Sequence, residues 1–105
     1  MWIRSAFWLG RPRAGQEEKL VMAINDALVP AMRRFPGVAA AHALWPRKRE
    51  DGPPDIFCQV IVEFATAEDM ALMLASDERA ALRPRVIEAA GLFDGSLSHI
   101  DYQVA

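Results

Sequence analysis

An α+β fold is what this sequence predicts: a four-stranded antiparallel sheet with two helices on one of its faces. Two observations carry that expectation. Apolar residues follow strand-like patterns in four stretches and recur at helical steps of three and four residues in two others. The order of those stretches along the 105 residues is β-α-β-β-α-β, which is the ferredoxin-like arrangement within a single domain, residues 1–105. With both helices on one side, the other sheet face is left bare. A second copy of the chain, paired sheet to sheet, is its expected cover.

The first strand is read over Trp2–Leu9, rich in aromatic and branched residues and followed by Gly10, Pro12 and Gly15. Alternation puts Ile3, Phe7 and Leu9 on one side and Trp2 and Trp8 on the other. A strand apolar on both faces belongs in the middle of a sheet. The first helix is read over Gln16–Phe35. Leu20, Val21, Ile24, Ala27, Leu28, Ala31, Met32 and Phe35 form its apolar stripe. Glu17 and Glu18 begin it and Arg33 and Arg34 end it, in keeping with the helix dipole. Pro30 cannot donate to the carbonyl of Asp26 and is expected to bend the helix, which Pro36-Gly37 then stops.

Strand two is read over Val38–Trp45 and strand three over Asp55–Phe64. The proline-bounded polar connection between them is too long for a tight hairpin. In strand three, Ile56, Cys58, Val60, Val62 and Phe64 form a uniformly apolar face, expected against the helices. Phe57, Gln59, Ile61 and Glu63 form a mixed face, expected toward a partner or a cavity. Thr66 is the expected N-cap of the second helical region. Ser76-Asp77 and Arg83-Pro84 are expected to break or bend that region into shorter helices, closed by Gly91. Gly95 precedes the last strand, Ser96–Val104.

Composition narrows the function. A 52% hydrophobic and 25% charged chain folds rather than stays disordered. A net charge of −2 supplies no broad cationic field for nucleic acid. No apolar run reaches the roughly 18–20 residues that cross a bilayer, and Met1–Ser5 lacks the apolar core of a signal peptide. The lone Cys58 forms no internal disulfide and reads as a core residue; a cytoplasmic location is expected. No metal-ligand spacing, glycine-rich phosphate loop or nucleophile elbow is present, so no metal or cofactor is assigned.

The candidate catalytic residues are the two histidines, His42 and His99, because imidazole titrates near neutral pH. Asp101 shares a strand face with His99 and could orient it. Tyr102 and Trp45 are candidate ligand-positioning groups, each also readable as a packing aromatic with a polar tip.

Several segments together resemble the EthD-like group of the dimeric α+β-barrel superfamily: Ala6–Leu9, Leu28–Val38, Val62–Asp69 and Leu74–Glu78. Antibiotic-biosynthesis-type monooxygenases and stress-responsive barrel proteins share some of these motifs. EthD-like proteins often show His-x-Pro followed by Pro-Gly. Pro30 and Pro36-Gly37 keep that spacing, but Leu28 stands at the histidine position. The resemblance implies a homodimer closed through the sheet faces and a pocket between sheet and helices. It also implies a small cofactor-independent enzyme of oxygenase, cyclase or isomerase type, acting on an apolar or aromatic metabolite. The alternative is a noncatalytic dimer that binds a small molecule or serves as an accessory protein.

Overall fold

The computed structural model describes residues 1–105. Its strands are β1 (Trp2–Pro12), β2 (Ala40–Leu44), β3 (Ile56–Phe64) and β4 (Phe93–Gln103). They form one antiparallel sheet in the order β2-β3-β1-β4, so β1 is indeed central. The helices are α1 (Glu17–Met22), a π-helical segment (Ala23–Leu28), α2 (Val29–Arg33), α3 (Ala67–Leu74) and α4 (Asp77–Ala90). The molecule is only 18 Å thick along its shortest axis, the depth of one sheet and one helix layer.

The first helix takes in Pro30 by a change of winding. The turn before it widens, and the Val29 N–H bonds the Ile24 carbonyl five residues back. A proline in a regular α-helix would clash with the carbonyl four residues before it. The wider winding carries the chain past that point without ending the helix. In the second helical region the break falls at Ser76. Its hydroxyl donates to the Met73 carbonyl at 2.7 Å and accepts from the Arg79 N–H at 3.1 Å, closing α3 and capping α4 together. Thr66 caps α3 as expected, accepting from Asp69 N–H at 3.1 Å. Pro84, by contrast, lies inside α4 on an exposed position, and the helix continues through it.

Two corrections concern the strands. The expectation that Phe57 belongs with the mixed face and Ile56 with the buried one fails at a bulge, where the β1–β3 register shifts between Trp8 and Leu9. The irregularity turns Phe57 toward the core, where its ring meets Trp45 edge-on at 5.4 Å and Phe93 at 5.7 Å. Beyond the bulge, Cys58, Val60, Val62 and Phe64 are buried as expected. The last strand begins three residues earlier than read, at Phe93. Gly10 and Gly95 face each other with positive φ, and a Cβ on either would strike the opposing backbone. Both therefore extend the β1–β4 ladder rather than interrupt it.

The core lies between sheet and helices, built on Trp8, Leu20, Ile24, Leu28, Phe64 and Phe93 among others. Trp8 is 2% exposed and meets Phe93 edge-on at 5.3 Å. Burial pushes the Cys58 thiol up from 9.0 to about 12, against a smaller opposing effect of the Leu44 backbone, so it stays protonated and inert. The far side of the sheet carries no helix. It presents Phe7 and Ile61 near its middle and exposed Leu44, Ile100 and Tyr102 along its edges.

Candidate functional site

A cavity of about 410 Å³ opens between the helix-facing side of the sheet and the helices. That volume lies in the range of roughly 300–1,000 Å³ typical of small-molecule sites. The strand periodicity decides what reaches it. Arg4, Ala6 and Trp8 of β1, Val60 and Val62 of β3, and Leu97 and His99 of β4 are all on the same sheet face and form the floor. Leu28, Met32 and Phe35 supply one wall. Arg79, Leu82, Arg83, Val86 and Ile87 of α4, at helical steps, supply the other.

Of 17 lining residues, 13 are hydrophobic, and the remaining four are Arg4, Arg79, Arg83 and His99. The polar lining is thus wholly basic. Desolvation holds the His99 imidazole below its ordinary 6.5, and the nearby Arg4 and Arg79 guanidinium groups push it the same way; Asp101 opposes them. The imidazole is accordingly neutral at pH 7, the form that can accept a proton. Asp101 shares the His99 strand face, as the alternation requires. Its carboxylate, however, is engaged by Arg4, with Nη1 to Oδ1 at 2.9 Å.

The other candidate residues lie elsewhere. His42 projects from β2 on the helix-free face, with Nε2 at 3.4 Å from Glu63 Oε2. Tyr102 lies on that same face, at the far edge on β4, and is 42% exposed. Trp45, just past β2, packs on Phe57 and donates from Nε1 to Asn25 Oδ1 at 3.1 Å, tying the sheet edge to the π-helical segment. It does not line the cavity. The structure therefore brings only His99 of the four into the cavity. Leu28, at the position where EthD-like proteins often carry histidine, is a cavity-wall residue here.

The arginines are the residues that sequence reasoning passed over. Arg4 had a signal: it falls on the otherwise apolar Trp2, Ala6 and Trp8 face of the central strand, a costly place for a charge. Arg79 and Arg83 are one helical turn apart on the same side as Val86 and Ile87, a placement that only the docking of α4 makes meaningful. No three His, Cys, Asp or Glu side chains converge in a way that could hold a metal ion. No helix is long and apolar enough to cross a membrane.

No protein-family model matches the chain, and no curated protein matches it. Solved structures do. An EthD family protein from Bacillus halodurans superposes with a TM-score of 0.78 at 13% identity, over 100% of this chain and 99% of that one. A dimeric protein of unknown function with a ferredoxin-like fold from Bacteroides fragilis gives 0.63 at 11% identity, over 98% and 96%. A variant of SnoaB, a cofactor-independent oxygenase from Streptomyces nogalater, gives 0.63 at 14% identity, over 98% and 90%. The likeness to EthD-like proteins that short motifs carry thus extends to the whole path of the backbone, and the chain has the ferredoxin-like α+β fold these proteins share.

Proposed function

We propose that this protein is a homodimeric, cofactor-independent enzyme that binds a small apolar or aromatic metabolite in the cavity and removes a proton from it with His99. The observation that carries the reading is the placement of His99. It is the one lining group that titrates near neutrality, it is kept neutral, and it stands at the solvent-exposed edge of an otherwise apolar cavity with cations beside it. An apolar cavity strips water from a bound carbonyl compound, and a neutral imidazole then takes the proton from the carbon next to the carbonyl. The C–H bond breaks, an N–H bond forms, and the electron pair is left as an enolate. Oxygenation, cyclisation and isomerisation can each start from that step. The SnoaB relative, a cofactor-independent oxygenase with the same fold, supports the class of chemistry.

Pairing of two copies through the helix-free face belongs to the same proposal. Leu44, Ile100, Tyr102 and Val104 are exposed there, and the Bacteroides fragilis relative is dimeric. His42 and Tyr102 would then act at the subunit boundary and not at the cavity, while Trp45 supports the cavity's surroundings through Asn25 and Phe57.

A second reading, binding without catalysis, is favoured by one observation: Asp101 is held by Arg4, so His99 lacks a carboxylate partner to orient it. Exchange of the α-protons of 2-tetralone in deuterated buffer, followed by NMR, separates the two. The catalytic reading expects exchange well above the buffer rate, lost in His99→Gln while 2-tetralone still binds. Binding without added exchange in the unaltered protein would leave only the noncatalytic reading.

A further inference from the structure

We propose that the cavity is built for an apolar molecule bearing one carboxylate, with the apolar body inside and the carboxylate held at the mouth by Arg79 and Arg83. This deepens the ligand-binding reading above and rests on it. The first argument is the asymmetry of charge. All four non-hydrophobic lining residues are basic and no carboxylate lines the cavity, in a chain whose net charge is −2. A chain with more acidic than basic residues has thus gathered three guanidinium groups around one apolar space. Asp101 neutralises one of the three, and an anion in the cavity would meet the other two.

The second argument is which of the three cations is free. Arg4 lies on the sheet floor and is already paired with Asp101 at 2.9 Å. Arg79 and Arg83 form no ion pair. Arg79 makes only a long contact to the Leu74 carbonyl, at 3.4 Å. It also stands in the first turn of α4, where the helix dipole disfavours a cation. Both side chains are on exposed positions of α4, beside the exposed Ile87 and His99, whereas the lining continues inward to the buried Trp8, Val60 and Val62. The free cations therefore mark the entrance and the apolar surface marks the interior.

The third argument concerns the anion. Two guanidinium groups one helical turn apart offer planar, paired N–H donors, which match the two oxygens of a carboxylate. A phenol, with a pKa of about 10, is mostly neutral near pH 7 and would not supply the charge.

The test is displacement of the neutral fluorophore N-phenyl-1-naphthylamine by 2-naphthoate and by its neutral isostere 2-naphthamide. In the unaltered protein 2-naphthoate should compete at least about tenfold better than 2-naphthamide, the size of a charge-assisted hydrogen bond. In Arg79→Gln/Arg83→Gln, with folding checked by thermal melting, that preference should fall below about threefold. Equal competition by the two compounds in the unaltered protein would overturn the carboxylate assignment and leave the apolar-ligand reading standing. A preference that survives in the double variant would overturn the role of these arginines. Failure of the fluorophore, 2-naphthoate and 2-naphthamide all to bind would defeat the ligand-binding reading and this inference with it.

Discussion

His42 and His99 are on opposite faces of one sheet, and the two faces have solved different problems. The face carrying His99 is roofed by helices over Trp8, Val60 and Val62 and opens to solvent along β4, where a cavity has basic groups at its edge. The face carrying His42 has no roof. Its apolar groups, Phe7, Ile61 and Ile100 among them, alternate with Ser5, Gln59 and Glu63, and Gln59 donates to the fully buried Ser5 hydroxyl at 3.3 Å. A surface made only of large apolar groups would aggregate, whereas one with interspersed polar groups that bond to one another can wait in water for a specific partner. The same strand supplies both: neighbouring residues Phe7 and Trp8 point to opposite faces, Trp8 buried under the helices and Phe7 left half-exposed.

That contrast can be broken most strongly at Trp8. Trp8→Ala should destabilise the fold by about 3–5 kcal/mol, because it removes a buried ring that packs edge-on against Phe93. The loss should appear at every protein concentration in denaturant titrations. Phe7→Ala should cost less in the monomer, and its effect should grow with concentration if the proposed pairing is what covers Phe7. If Phe7→Ala proves as costly as Trp8→Ala in dilute protein, the two faces are not distinct in the way described.

The next effect in size is on association. Ile100→Asp puts a charge on the proposed pairing face and should weaken self-association by at least about a hundredfold, read by analytical ultracentrifugation. The helix-covered side should be untouched, so the far-ultraviolet circular dichroism should not change. Dimers that persist in this variant would place the pairing surface elsewhere.

The smallest effect sharpens the comparison from the His99 side. Its imidazole titrates below 6.5 in the folded chain, for reasons of desolvation and neighbouring arginines. Between the folded and unfolded values the unfolded chain binds more protons, so stability rises with pH across that window and falls as pH drops from about 6.5 toward the folded midpoint. His99 is partly open to solvent, so the step should be small, and His99→Gln should flatten it. NMR titration of the His99 ring should give a midpoint below 6.5. A midpoint above 6.5 would show that Asp101, and not the arginines, governs the group.

Much of the fold was legible in local pattern. Strict alternation from Cys58 to Phe64 identified the buried side of β3 because nothing interrupts its period. It failed at Ile56 and Phe57, where a bulge adds a residue and reverses the sides, an event set by pairing with Trp8 and Leu9 nearly fifty positions away. Gly10 and Gly95 misled for a related reason. Each looks like an end of a strand alone, and only their meeting makes them part of one. At the site, alternation correctly placed His99 with Asp101, yet the carboxylate's partner is Arg4, 97 residues distant in sequence. Sequence separation of that size carries no periodic signal. The cavity's basic edge stayed hidden because three arginines from two elements acquire a common meaning only after α4 docks on the sheet.

The widened turn in the first helix has a further consequence, for geometry along its axis. Leu20, Ile24, Leu28 and Met32 are spaced by four residues three times over. At 3.6 residues per turn each such step overshoots a full revolution by about 40°, so the set would spiral off the sheet by about a third of a circle. Underwinding between Ala23 and Leu28 takes up that drift. One line of side chains can then run straight, serving as solid packing at Leu20 and Ile24 and as the lining of an open space from Leu28 onward.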